Sequence, residues 1–98
     1  MVVGVCRIVI ELPESFSLKE KRGPLRSIIT RVRSTFNAAI AEVGEQDTWH
    51  TAVLGVAVIS AEARHANAML SKIVAFVEEH LSDGVVADYE LEIIHLGE

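Results

Sequence analysis

The hydrophobic period of this chain reads two, then about 3.6, then two in two successive runs, then about 3.6, then two again. That is the order strand, helix, strand, strand, helix, strand. Val2 to Leu12 is rich in Val and Ile and alternates imperfectly. Its even positions, Val2, Cys6, Ile8, Ile10 and Leu12, are the more strictly apolar set, while Arg7 and Glu11 break the odd set of Val3, Val5 and Val9. Pro13 ends the run, because proline cannot donate to a strand ladder. Ser17-Leu-Lys-Glu20 matches a capping box, in which the serine oxygen takes an early N–H and the glutamate reaches back. Leu25, Ile28 or Ile29, Val32 and Phe36 then recur at helical spacing. Gly23-Pro24 allows either a separate first turn at Ser17 or a helix that starts near Gly23; one continuous but kinked element is the favoured reading.

Asn37 to Val43 is ambiguous by propensity but fits a short strand, ended by the turn Gly44 to Asp47. Trp49 to Ser60 is a long β-rich run, and the two make a hairpin. Ser60 is placed to cap a second helix, whose apolar face is Ala66, Leu70, Ile73, Val77 and Leu81. Asp83-Gly84 stops it. Val85 to Leu96 then alternates Asp88, Glu90 and Glu92 with Tyr89, Leu91 and Ile93, as a half-exposed strand does. Two β-α-β units, each crossing right-handedly, give an α+β ferredoxin-like β-α-β-β-α-β sandwich. It has a four-stranded antiparallel sheet with two helices on one face, in a single domain over residues 1–98. The other sheet face then carries Val, Ala and Ile side chains, so a homo-oligomer, a dimer through that face, is expected.

With 98 residues there is room for one domain only, and half of them are apolar. Aromatics make up 5%, so Val, Ile, Leu and Ala must build the core. One cysteine, Cys6, excludes an internal disulfide and reads as a small buried apolar residue. No apolar stretch reaches the roughly 18 residues of a membrane span, and the first residues lack a basic leader. A cytoplasmic protein without a membrane partner is the expectation.

Net charge is −5, yet residues 17–36 carry +5 and the remainder −10. On a helical wheel Lys19, Arg22, Arg26 and Arg33 share one stripe beside the core stripe, which suits neutralising the phosphates of RNA. The alternative is a solvated face pairing with acidic strands of a neighbour. The strands do not match the aromatic pattern of an RNA-recognition domain. Glu42, Glu45 and Asp47, with Trp49 after them, form a candidate interaction turn in which Trp49 would anchor packing or an interface. An acid–base role for Glu42, Asp47 and His50 ranks lowest. No metal-loop spacing, histidine ligand pair, nucleophile elbow or glycine-rich phosphate loop is present in the sequence. The expectation is a protein with no cofactor, no metal and no catalytic residues. A small-molecule-binding or regulatory oligomer using the open sheet face is the other reading.

Ser17-Leu-Lys-Glu-Lys-Arg22, then Phe36-Asn37, then Glu42-Val-Gly-Glu-Gln-Asp-Thr-Trp49 resemble the hallmark segments of the YlxP-like family. These are small bacterial proteins classed as a domain of unknown function. The resemblance covers essentially the whole chain. It implies a ferredoxin-like fold and a bacterial, cytoplasmic protein whose family genes commonly lie among translation genes, beside a ribosome-binding factor. That context points to a ribosome or structured RNA as partner. The resemblance brings no catalytic residues with it. Gly23-Pro24 departs from the family's usual run of helix formers after Lys-Arg.

Overall fold

The computed structural model describes residues 1–97. Its elements follow the order β1 (Val2–Glu11), α1 (Leu18–Thr35), β2 (Ala39–Gly44), β3 (Thr51–Ser60), α2 (Ala63–His80) and β4 (Val85–His95). The strands form one sheet in the order β2-β3-β1-β4, with every neighbouring pair antiparallel. This is the ferredoxin-like arrangement expected from the periodicity.

β1 sits in the centre because it is apolar on both faces. Its even residues pair with even residues of β3, as in Cys6 with Val56 and Ile8 with Leu54, and these point at the helices. Ile40 from β2 joins them, together with Leu25, Ile28 and Val32 of α1 and Ala66, Leu70, Ile73 and Val77 of α2. Leu91 and Ile93 of β4 are half-buried against the same core, whereas Tyr89 is 49% exposed. Gly4 lets α2 approach closely: a Cβ there would lie 2.8 Å from Leu70 Cδ1. Phe36 and Phe76 meet edge to face where α1 and α2 run side by side, and His80 stacks on Phe76.

α1 is one helix through Gly23-Pro24, which resolves the alternatives left by the sequence. Ser17 is its N-cap, and the serine hydroxyl accepts the Glu20 N–H at 3.1 Å. Pro24 lies in the second turn, so the Glu20 carbonyl loses the N–H that would ordinarily bond it. Ser60 does not cap α2. The N-cap is Glu62, without a side-chain cap bond, and Ser60 Oγ instead accepts the Glu62 N–H at 3.1 Å. A bend at Ala61 and the extended Glu62 carry the chain past Ser60 before it turns helical, so the serine holds the connection rather than the helix.

Candidate nucleic-acid interface

The core stripe of α1 runs Lys21, Leu25, Ile28, Val32, the i, i+4, i+7, i+11 pattern of a packed helix face. Lys19, Arg22 and Arg26 therefore point away from the sheet and are exposed. Among the described residues none of the three has an ion-pair partner. Arg33 is also exposed, but its Nη2 donates to the Ile40 carbonyl at 2.8 Å, so part of its guanidinium ties α1 to β2. Arg31 lies off the stripe, 5.9 Å from the Phe76 ring centre. The four predicted cations thus do share one helix face, three of them uncommitted.

Lys21 is the residue that charge counting misplaces. It is 2% exposed, and its ammonium donates to the carbonyls of Glu45 and Thr48, each at 2.6 Å. Glu42 Oε2 lies 2.9 Å away, as an ion-pair contact without an aligned hydrogen bond. The signal was in the sequence: Lys21 falls four residues before Leu25, on the apolar stripe rather than the basic one. A lysine there needs carbonyls and a carboxylate waiting for it.

Of the residues of the candidate turn, Glu42 alone stands in a strand. Glu42 belongs to β2 and faces α1, not the turn. Glu45 takes a positive φ of 57°, and its carboxylate accepts the Thr48 hydroxyl at 3.1 Å. Asp47 is exposed. Trp49 is 44% exposed and donates its indole N–H to His50 Nε2 at 2.6 Å, which makes that ring nitrogen an acceptor. The Glu42 carboxylate sits against Lys21, and His50 Nε2 accepts the hydrogen bond of the Trp49 indole N–H. Among the described residues no group of three or more His, Cys, Asp or Glu side chains could hold a metal ion. Cys6 is buried, and desolvation pushes its thiol pKa up, away from nucleophilic use.

The sheet face opposite the helices is divided. On β2 and β3 it carries Ala39, Ala41, Val43, Gly55, Ala57 and Ile59, which line shallow grooves of about 440 and 270 Å³. On β1 and β4 it carries Arg7 and Glu90, joined by an exposed ion pair with Arg7 Nε 2.9 Å from the carboxylate, and then Asp88 and Glu92. Among the described residues no helix is long and apolar enough to cross a membrane.

A family model described as "Protein of unknown function (DUF503)" matches residues 3–91, from the first strand to the middle of the last. This chain belongs to the DUF503 family. The resemblance read from the segments at Ser17 and Glu42 is thereby confirmed, and within DUF503 a curated relative carries the YlxP name. It is "Uncharacterized protein YlxP" of Bacillus subtilis (strain 168), 35% identical over 77 residues, covering 79% of this chain and 84% of the relative. Among solved structures, a de novo designed protein with a ferredoxin fold aligns with a TM-score of 0.52 at 16% identity. The alignment covers 100% of this chain and 87% of the design. That likeness speaks to the fold alone.

Proposed function

We propose that this DUF503 protein is a non-enzymatic, cytoplasmic accessory protein of translation that binds structured ribosomal RNA through the outward face of α1. The observation that carries the reading is the row Lys19, Arg22 and Arg26, exposed and unpaired among the described residues on a chain of net charge −5. A helix rises about 1.5 Å per residue, so the row extends roughly 10 Å to Arg26 and roughly 20 Å to Arg33. Such a row contacts several phosphates without reading base identity. The open sheet face is a poor platform for bases, since its β2–β3 half presents mainly aliphatic side chains such as Ala41, Val43 and Ile59, without an aromatic ring, and its β4 edge is acidic.

Cosedimentation with isolated ribosomal subunits at low and high salt tests the proposal. Binding should fall steeply with salt, and the triple variant Lys19→Glu, Arg22→Glu, Arg26→Glu should abolish it while the fold persists by circular dichroism. Binding that survives the triple change defeats the proposal. Binding that is lost with the triple change yet insensitive to salt and to nuclease digestion of the RNA assigns the stripe to a ribosomal protein instead.

A further inference from the structure

We propose that the outer edge of β4 takes up an extended peptide as an added strand, and that the peptide it selects alternates lysine or arginine with aliphatic residues. The proposal does not rest on the RNA reading, whose residues belong to α1.

The backbone of β4 leaves the place open. Met1 and Leu96 exchange both bonds: the Leu96 N–H donates to the Met1 carbonyl at 2.9 Å, and the Met1 amino group donates to the Leu96 carbonyl at 3.2 Å. Opposed residues of an antiparallel pair alternate between bonded and non-bonded, so Ile94, Glu92 and Glu90 bond β1 opposite Val3, Val5 and Arg7. The intervening Tyr89, Leu91, Ile93 and His95 direct their N–H and carbonyl groups out of the sheet, along about 20 Å of edge. Among the described residues no loop backbone bonds these groups. β4 also lacks lysine and proline, which commonly close an edge to newcomers.

The other edge is stoppered. β1 turns its even residues to β3, as the Leu12 N–H does to the His50 carbonyl. Gly55 and Ala57 of β3 therefore bond β2, and Ile40, opposite Val56, faces outward. Arg33 already holds the Ile40 carbonyl there, on a strand of six residues against the eleven of β4.

Side chains decide the occupant. A strand added to β4 places alternate residues on the two faces of the sheet. On the helix side they meet Ile93 and Leu91, both half-buried, and Tyr89, and aliphatic residues there extend the rim of the core. On the opposite side they meet Glu92, Glu90 and Asp88, all exposed. Arg7 engages Glu90 from β1, and among the described residues Asp88 and Glu92 have no ion-pair partner. Opposite charges directly across a strand pair stabilise it and like charges destabilise it. The edge thus favours a cation at every second position of the newcomer. It disfavours a second β4, because a two-fold antiparallel pairing would set one carboxylate row against the other.

Titration of the wild-type chain with the labelled peptide Val-Lys-Val-Lys-Val-Lys-Val tests the proposal, with amide exchange followed by NMR. Saturable binding at submillimolar concentration is expected, with slowed exchange at Tyr89, Leu91 and Ile93. Methylating the backbone nitrogens of the two central valines, which face the edge, should weaken binding about tenfold. Asp88→Lys combined with Glu92→Lys, both at exposed positions, should also weaken it about tenfold with unchanged circular dichroism. The same double variant should gain binding of Val-Glu-Val-Glu-Val-Glu-Val, which the wild type refuses. Absence of saturable binding by the lysine peptide overturns the proposal, as does slowed exchange at Ile40 in place of the β4 amides. Binding indifferent to the methyl groups is charge attraction without strand addition and overturns it too. Binding indifferent to the double lysine variant removes the selection for a basic peptide.

Discussion

Lys21 of α1 and Glu42 of β2 approach to 2.9 Å, and the same ammonium closes the Glu45–Thr48 loop by two carbonyl hydrogen bonds. One side chain therefore joins a helix, a strand and a loop. Lys21→Met should destabilise the chain by about 2–4 kcal/mol in urea denaturation, because a buried charge pair is broken and two carbonyls lose their donor. The figure sits below that of a fully enclosed pair because a quarter of the Glu42 side chain reaches solvent. Adding Glu42→Met should restore part of the loss, since removing both charges leaves no orphan. A single variant as stable as the wild type would show that the pair is ornamental.

Gly4 marks where α2 presses hardest on β1. A Cβ would stand 2.8 Å from Leu70 Cδ1, 3.2 Å from Val58 Cγ2 and 3.3 Å from Ala66 Cβ. Gly4→Ala should cost about 1–3 kcal/mol through overpacking, although alanine favours a strand over glycine. The double variant Gly4→Ala, Leu70→Ala should recover less than the lost packing of Leu70, and calorimetry on the three chains would separate the two effects.

Cys6 is 4% exposed, and burial raises its thiol pKa. Iodoacetamide at pH 8 should leave it unmodified in the folded chain and label it fully in denaturant. The sign of the linked stability follows. The folded state holds the proton more tightly, so this contribution is complete below the ordinary thiol value of about 8.5 and is lost as pH climbs through the raised one. Rapid labelling without denaturant would mean that β1 opens readily.

Arg33 differs from the rest of its stripe because it already bonds the Ile40 carbonyl. If α1 contacts RNA phosphates, Arg22→Ala and Arg26→Ala should each lower the salt slope of binding by about one. Arg33→Ala should change the slope less and lower the stability of the chain more, by about 1 kcal/mol. Salt titrations of RNA binding, set beside melting curves, would show this split. Equal slopes for all three arginines would place Arg33 fully on the RNA.

Most of the fold was legible because periodicity and topology agreed. The even positions of β1, the Leu25-Ile28-Val32 stripe and the alternation of β4 each survive as read. Ser17 caps α1 as the capping box predicts, while Glu20 reaches back to the Ser17 hydroxyl, which donates to it at 3.4 Å, rather than to the Ser17 N–H. The candidate site was legible only in part, because a charged residue's fate depends on which groups from elsewhere in the chain come to meet it. Lys21 and Arg33 look like members of a basic helix until β2 supplies Glu42 and the Ile40 carbonyl. Glu42 looks like a turn residue for its nearness to Glu45 and Asp47, yet its pairing with Leu54 keeps it in β2 on the helix side. Ser60 misled for a local reason: Ala61 and Glu62 separate it from the first helical turn.

Of the four strands of the sheet, the central one is made first and is completed on both sides only when the other three are in place. Glu11 bonds a partner 40 residues away and Arg7 one 83 residues away, on opposite flanks of β1. During synthesis β1 therefore emerges as an apolar segment with two open edges and waits for β3, then β4. Non-local pairing of this kind folds slowly, and it leaves a strand able to recruit a neighbouring nascent chain. For this sheet the hazard of growth lies in β1, and what ends it is the arrival of β4.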